Sequence, residues 1–203
     1  MAVKVKICGV TRIADALVAA EAGAAAVGLN FYPPSPRCVT VEMARDIVSV
    51  LPPSVCPVGV FVNESRQRVS EIADAVGLRG LQFHGEESPA DCEGWGLKVI
   101  KAVRVRDRES IGDLAAYPVD FILLDAYLEG RPGGTGHRFA WELAAACESS
   151  RLILAGGLTP ENVAEAVRAV RPAGVDVASG VESEPGIKDA GRMRRFIANA
   201  HTA

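Results

Sequence analysis

The chain has 203 residues, of which 49% are hydrophobic and 23% charged, and its formal net charge is −3. This composition is typical of a globular protein and argues against disorder, and the length suits one domain covering residues 1–203. The small negative charge gives no electrostatic basis for binding nucleic acid, which usually requires a basic face. Charges interrupt the first apolar residues and no apolar run approaches the roughly 20 residues that span a bilayer, so we expect neither a signal peptide nor a membrane partner.

Five cysteines are scattered along the chain without a C-x-x-C pair, at positions 8, 38, 56, 92 and 147. This spacing disfavours zinc and disulfide frameworks, and it predicts reduced thiols in a cytoplasmic protein. Cys8 differs from the other four because it lies in Lys6-Ile7-Cys8-Gly9, where the first apolar run reaches a glycine. A thiol at the point where a strand releases the chain into solvent is well placed to contact a ligand.

Short apolar, β-branched runs recur eight times, and each predicts a strand that is covered on both faces of a parallel sheet. In chain order the predicted strands are Val3–Cys8, Ala25–Phe31, Pro57–Val62, Leu78–His84, Lys98–Val103, Phe121–Asp125, Leu152–Ala155 and Val175–Ala178. Ala-, Glu- and Arg-rich stretches with helical spacing separate them. The predicted helices are Ile13–Ala22, Val41–Val50, Ser65–Ala75 and Pro160–Val170, with shorter ones near Ser88–Glu93 and Glu109–Ala116.

The alternation of eight strands with helices predicts an α/β protein folded as a single-domain (β/α)8 TIM barrel. The main alternative is an open doubly wound sheet, which usually carries a G-x-G-x-x-G turn after its first strand. Here Cys8-Gly9-Val10-Thr11 stands in that place. Because chemistry in a barrel collects at the C-terminal ends of the strands, the residues there are candidates. They are Cys8, Asn30, Phe31, Asn63, Gln82, His84, Arg104, Asp125, Gly156, Gly157, Ser179 and Gly180.

Two glycine turns follow the seventh and eighth predicted strands, at Gly156-Gly157 and Ser179-Gly180. They are either plain tight turns or a site where backbone N–H groups hold an anion, and this pair of strands is the one that usually binds phosphate in the fold. We favour the phosphate site. A third glycine segment, Gly130–Gly136, follows strand six and is either a flexible loop or a loop that closes over a ligand, with Gly133 and Gly134 as hinges.

Three side chains suggest chemistry on a doubly anionic substrate. Asp125 ends a buried run, where a carboxylate is either a cap on the next segment or a general acid. Cys8 fits a general base better than a covalent nucleophile, since His84 lies on a separate strand and could be structural. Lys6 shares the side-chain face of Cys8 and could lower the pKa of the thiol. Arg37, after a proline-stiffened loop, is either a solvated side chain or a fork for a carboxylate.

Eight motifs occur in order along the chain, at every predicted barrel strand except the fifth. They are Lys6-Ile7-Cys8-Gly9, Ser35-Pro36-Arg37, Gly59-Val60-Phe61-Val62-Asn63, Gln82-Phe83-His84-Gly85, Leu124-Asp125, Gly133-Gly134-Thr135-Gly136, Ala155-Gly156-Gly157-Leu158 and Ser179-Gly180-Val181-Glu182. Together they resemble the phosphoribosylanthranilate isomerases of tryptophan biosynthesis, over Val3 to about Asp189. One such motif would be weak, and eight in register are highly specific.

The resemblance implies an Amadori rearrangement of N-(5-phospho-β-D-ribosyl)anthranilate to 1-(2-carboxyphenylamino)-1-deoxyribulose 5-phosphate. It implies that Asp125 is the general acid that protonates the ring oxygen and Cys8 the general base that removes the C2′ proton. Arg37 then matches the residue that holds the anthranilate carboxylate. The matching substrate-binding residues are Gln82, His84, Gly156, Gly157, Ser179 and Gly180. No metal or organic cofactor is implied, and the expected assembly is a monomer or a homodimer.

Two departures from the family pattern follow the glycine segment and Arg37. The family often continues with Lys and then Phe-Asp-Trp, whereas this chain has His137-Arg138-Phe139-Ala140-Trp141, which we expect to affect loop ordering. Cys38 after Arg37 is also atypical and has no assigned role. The alternatives are another phosphosugar isomerase or epimerase on the same barrel, or a non-catalytic phosphate-binding barrel. Cys8 and Arg37 disfavour the first, and the pairing of Asp125 with Cys8 disfavours the second.

Overall fold

The structure is a computed structural model that describes residues 3–105, 114–125, 141, 144 and 149–203. Eight parallel strands pair in the order β1 to β8, and β1 also pairs with β8, so the sheet closes into a barrel. The barrel strands are β1 Lys4–Cys8, β2 Ala26–Asn30, β3 Cys56–Phe61, β4 Gly80–Phe83, β5 Lys98–Arg104, β6 Phe121–Asp125, β7 Leu152–Ala155 and β8 Gly174–Val177. The predicted eight-stranded parallel barrel is therefore confirmed.

Five α-helices have bounds within the described residues. They are α1 Ile13–Glu21, α2 Val41–Ser49, α3 Arg66–Val76, α4 Val163–Val170 and α5 Ala190–His201. Their starts follow ordinary capping chemistry, since Thr40, Ser65 and Asp189 each accept a hydrogen bond from the backbone N–H three residues later. Gly77 ends α3 in the left-handed conformation, with a φ of 75°. No helix among the described residues is long and apolar enough to cross a membrane.

Two predicted helices differ from the structure. The segment near Ser88–Glu93 forms only a 3-10 turn, Ala90–Cys92, because the chain is extended at Glu93 and then enters the left-handed region at Gly94. The helix predicted from Pro160 begins instead at Val163, because the side chains of Thr159 and Asn162 hold the intervening residues in a turn. Most of the helix predicted at Glu109–Ala116 lies outside the described residues, and its described end, Leu114–Ala116, is a 3-10 turn.

A small antiparallel hairpin follows the barrel and was not predicted from the sequence. It consists of β9 Glu182–Glu184 and β10 Ile187–Lys188, joined through Pro185 and Gly186. It comes directly after the 3-10 turn Ser179–Val181 that ends β8. The hairpin therefore lies against the C-terminal mouth of the barrel, and it delivers Lys188 to that mouth.

Alternate residues of each strand face opposite sides of the sheet, and the two sides have different partners. Outward residues such as Ile7, Leu81 and Leu154 join the helices in the larger apolar core. Inward residues form a second apolar cluster inside the barrel, comprising Val58, Ile100, Ala102, Leu123, Ile153 and Ala155. Lys6 and Asp176 are the inward residues of β1 and β8 at the same level, and their charges are buried there.

We predict that Leu154→Ala lowers the free energy of unfolding by about 2–5 kcal/mol, because its side chain is fully buried between β7 and the helices and its removal leaves a cavity. Leu17→Ala is the matched control, since Leu17 on α1 is 39% exposed and its truncation should change the stability by less than about 0.5 kcal/mol. Urea unfolding followed by circular dichroism measures both. Equal losses in the two variants would contradict the placement of Leu154 in the core.

Candidate active site

A cavity of about 310 Å³ opens at the C-terminal mouth of the barrel. Its volume falls at the lower end of the range of small-molecule sites. All nine residues that the sequence singled out as catalytic or substrate-binding line this one cavity: Cys8, Arg37, Gln82, His84, Asp125, Gly156, Gly157, Ser179 and Gly180. Residues of seven strands line it, so the closed barrel is what brings these side chains together.

Three other candidates at strand ends do not line the cavity among the described residues. Phe31 stacks on Phe61, with ring centroids 5.3 Å apart. Asn63 has a positive φ of 52°, and its side-chain oxygen accepts a hydrogen bond from the backbone N–H of Glu86. Arg104 is exposed at the end of β5. The glycine segment Gly130–Gly136 with its hinges Gly133 and Gly134, and the departures at His137 and Ala140, lie outside the described residues.

The two glycine turns pack directly against each other. Gly156 and Gly157 both have positive φ, a conformation that favours glycine. A Cβ on Gly180 would collide with the carbonyl oxygen of Leu158, so the turn after β8 can approach the turn after β7 only with glycine there. The Asn162 side chain donates to the carbonyl oxygen of Gly157 at 3.0 Å and fixes the first turn. This close-packed backbone is suited to an anion held by N–H groups.

Cys8 lies at the end of β1, partly buried, with its sulfur between β2 and β8. Burial raises the pKa of the thiol above its ordinary value, whereas the Lys6 ammonium next to it acts in the opposite direction. Asp176 raises the pKa further and Lys188 lowers it. The pKa-lowering effect that the sequence suggested for Lys6 is therefore present, and burial outweighs it in the unliganded protein.

His84 lies between Asp125 and the buried side-chain amide of Gln82. The Nε2 atom of His84 lies 3.8 Å from Oδ2 of Asp125, and its Nδ1 atom lies 3.0 Å from Nε2 of Gln82. An amide nitrogen can only donate, so Nδ1 accepts and the neutral ring carries its proton on Nε2, facing Asp125. The Oε1 atom of Gln82 is buried and has no hydrogen-bond partner among the described residues. This oxygen is available to a donor that enters the cavity.

The guanidinium of Arg37 forms a bidentate pair with Glu182. Nε donates to Oε1 at 2.8 Å and Nη2 donates to Oε2 at 2.6 Å. Lys188 donates from below to the same Oε1 at 2.8 Å and to the backbone oxygen of Cys8 at 2.6 Å. Gly9 makes room for Arg37, since a Cβ there would lie 2.5 Å from its Cδ. One edge of the guanidinium is thus fixed by Glu182, and the stem of Arg37 packs against the glycine that follows the strand carrying Cys8.

Sequence reasoning missed three charged residues in and around the cavity, Asp176, Glu182 and Lys188. Asp176 carried a usable signal, because a carboxylate inside the apolar run Val175–Val177 is as unusual as Asp125 at the end of its run. Glu182 was quoted as part of a motif and was given no role. Lys188 carried no local signal, because its burial depends on the hairpin. No group of three or more His, Cys, Asp or Glu residues suited to a metal ion occurs among the described residues.

The match to known proteins agrees with this geometry. A family model described as N-(5'phosphoribosyl)anthranilate (PRA) isomerase matches residues 5–199. The chain belongs to this family. An N-(5'-phosphoribosyl)anthranilate isomerase from Pseudomonas fluorescens is 57% identical over 198 residues, which cover 97% of each chain.

Two solved structures of this family superpose on the whole barrel. The phosphoribosylanthranilate isomerase from Thermotoga maritima has a TM-score of 0.90 and 44% identity, covering 99% of this chain and 100% of its own. A phosphoribosylanthranilate isomerase in complex with reduced 1-(o-carboxyphenylamino)-1-deoxyribulose 5-phosphate has a TM-score of 0.87 and 42% identity, with the same coverage.

The pairing of Glu182 with Arg37 and Lys188 predicts that the stability of the fold depends on pH. Burial opposes ionisation of Glu182, but its hydrogen bonds to Arg37 and Lys188 outweigh burial and lower the pKa of this carboxyl. A carboxyl with a depressed folded-state pKa contributes stability above its unfolded pKa of about 4.3 and loses it as the pH falls through the folded value. We predict that Glu182→Gln destabilises the fold by about 3 kcal/mol at pH 7.

The difference between wild type and Glu182→Gln should shrink as the pH falls below about 4, as measured by urea unfolding across pH. Glu184→Gln is the matched control, because Glu184 lies on the same hairpin and is exposed. A destabilisation by Glu182→Gln that is independent of pH would contradict the charge pairing.

Proposed function

We propose that this chain catalyses the Amadori rearrangement of N-(5-phospho-β-D-ribosyl)anthranilate to 1-(2-carboxyphenylamino)-1-deoxyribulose 5-phosphate. The observation that carries the proposal is that Cys8 and Asp125 face one cavity whose walls also present a glycine anion site and Arg37. An acid, a base and two anion holders are what a substrate with a phosphate and a carboxylate requires.

Asp125 is the proposed general acid. Its protonated carboxyl would give a proton to the furanose ring oxygen while the C1′–O bond breaks, and the anthranilate nitrogen would supply the electron pair that forms the Schiff base. The carboxylate that results would face the Nε2–H of His84, 3.8 Å away in the unliganded site. An N–H donor at this position would stabilise the carboxylate that forms.

Cys8 is the proposed general base. Its thiolate would take the C2′ proton, and the electron pair of that C–H bond would move into the C1′–C2′ bond as the iminium nitrogen is neutralised. The enolamine then tautomerises to the ketone. Because burial raises the thiol pKa, we expect the free enzyme to hold only a minority of thiolate at neutral pH.

The remaining predicted residues hold the substrate. Gly156 and Gly157 with Ser179 and Gly180 would bind the phosphate through backbone N–H groups, with little strain on the chain at the glycines. The anthranilate carboxylate would contact the edge of Arg37 that Glu182 leaves open. The buried Oε1 of Gln82 would accept a hydrogen bond from a substrate hydroxyl or amine, and His84 would line the same wall.

We further propose that residues 1–203 act as one catalytic domain in the cytoplasm, as a monomer or a homodimer. All nine proposed site residues line one cavity of a single chain, so a single copy would suffice for the proposed reaction. The proposed reaction needs no metal or organic cofactor, because the ring-opened substrate carries its own electron sink. Light scattering of the purified protein distinguishes the two assemblies.

The proposed acid–base roles predict that Cys8→Ala and Asp125→Asn each lower kcat by about 10²–10⁴-fold, because each removes a proton-transfer group. The loss of phosphoribosylanthranilate fluorescence after addition of enzyme measures the rate. Cys38→Ala is the matched control, since Cys38 is a partly buried thiol outside the cavity lining, and it should keep wild-type turnover. Substantial activity in either site variant would remove the assignment of that residue.

The proposed phosphate site predicts that Gly180→Ala raises KM and weakens inhibition by inorganic phosphate at least tenfold, because the new Cβ would push the turn away from Leu158. Gly191→Ala is the control, because Gly191 lies in α5 where alanine is the better helix former. Unchanged phosphate inhibition in Gly180→Ala would argue against these turns as the anion site.

A further inference from the structure

A buried ion pair lies directly beneath Cys8, inside the barrel. Nζ of Lys6 is 2.7 Å from Oδ1 of Asp176, and the two residues are 4% and 8% exposed. They are register partners on β1 and β8, so the strand pairing that closes the barrel also sets this contact. Apolar residues fill much of the barrel interior around the pair, including Ile100, Leu123 and Ile153.

Such a pair has no clear value for stability. The cost of removing two charges from water is often as large as their attraction, and an apolar pair of similar volume is commonly as stable. The apolar filling of the rest of the barrel interior shows that this space can be packed without charges. The position of the pair, one inward residue below the thiol of Cys8, points to a role in the chemistry above it.

Gly28 on β2 explains how the ammonium and the sulfur come together. A Cβ on Gly28 would lie 2.7 Å from Sγ of Cys8 and 3.1 Å from Nζ of Lys6. Both atoms therefore converge on the space that this glycine leaves open, and Nζ is within hydrogen-bonding reach of a thiolate. Because Gly28 has no side chain, no group on β2 stands between the Lys6 ammonium and the Cys8 sulfur.

We propose that Lys6 is a positioning residue that favours the ionised form of the Cys8 sulfur against the effect of burial, and that Asp176 limits this effect by pairing with the Lys6 ammonium. The relevance to turnover rests on the proposed function, in which Cys8 is the base. The arrangement itself is independent of that role, since it concerns the ionisation of one thiol in the unliganded protein.

Other charged groups near Cys8 also affect the ionisation of its thiol. Lys188 donates to the backbone oxygen of Cys8, and Arg37 lies on the loop after β2. Glu182 pairs with both of these cations and neutralises much of their effect. β2 offers no titratable group beside the sulfur, and β8 offers Asp176, whose charge opposes ionisation of the thiol. The Lys6 ammonium has three N–H donors, and its ion pair with Asp176 uses one of them. An N–H is therefore left for the sulfur.

The test is the pH dependence of alkylation of Cys8 by iodoacetamide, which reacts with the thiolate and releases iodide. Peptide mass spectrometry resolves Cys8 from the other four cysteines. In Lys6→Met the midpoint should rise by at least about one pH unit, which is about a tenfold slower reaction at any pH below it. In Asp176→Asn the midpoint should fall, because Lys6 keeps its charge and the nearest anion is gone.

The double variant Lys6→Met/Asp176→Asn protects the test against misfolding, since it leaves no unpaired buried charge. Its midpoint should lie between those of the wild type and Lys6→Met. Lys4→Met is the matched control, because it removes the same charge from the same strand at an exposed position, and its midpoint should equal the wild-type value. Lys6→Arg should restore a low midpoint if the cation rather than the packing matters.

Coincident midpoints in the wild type, Lys6→Met and the double variant would overturn the proposal, and so would a Lys4→Met shift as large as that of Lys6→Met. Circular dichroism of each variant shows that the comparison is made on folded protein. The readout uses no substrate, so it separates the two proposals. A chain with the predicted midpoints and no isomerase activity would retain this inference and contradict the proposed function.

Discussion

The pairing of β1 with β8 is the interaction on which the rest of the structure depends. Four consecutive residue pairs, from Lys4 with Gly174 to Ile7 with Val177, close the sheet on itself. Closure leaves no strand edge unpaired in the barrel, and it brings the first and last strands of the barrel side by side. Cys8 therefore faces the glycine turns after β7 and β8, although these turns begin at Gly156 and Ser179, far along the sequence. Without the pairing of β1 with β8, the site would be open along one wall.

The barrel interior changes from apolar to charged at the pairing of β1 with β8. The inward residues of β3, β5, β6 and β7 fill the barrel with apolar side chains, as is usual for the fold. Those of β1 and β8 instead carry a lysine and an aspartate, and above them lie the thiol and the Arg37–Glu182 pair. The apolar side provides rigidity and excludes water, which strengthens every electrostatic interaction on the charged side. The division between the two sides explains why the chemistry can depend on a few fixed charges.

The fold and the residues that line the cavity could be predicted from the sequence because their signals are local. An apolar run marks each strand, and a residue such as Asp125 stands out where the run ends. The supporting charges could not be predicted in the same way. Lys188 becomes buried through contacts with Cys8, 180 residues away, and Arg37 meets Glu182 across 145 residues. Gly28 matters only because two side chains of the neighbouring strand converge on it.

The contact between Lys188 and the backbone of Cys8 has a consequence for how the protein is made. Synthesis delivers the thiol 180 residues before the lysine that braces its strand, so the emerging chain must keep β1 without its closing partner while the residues between them are made. During that time the unpaired edge and the half-lined interior are exposed to solvent and to other chains. The mouth of the barrel can therefore be completed only after the hairpin has been made, and until then the Cys8 thiol has no organised pocket around it.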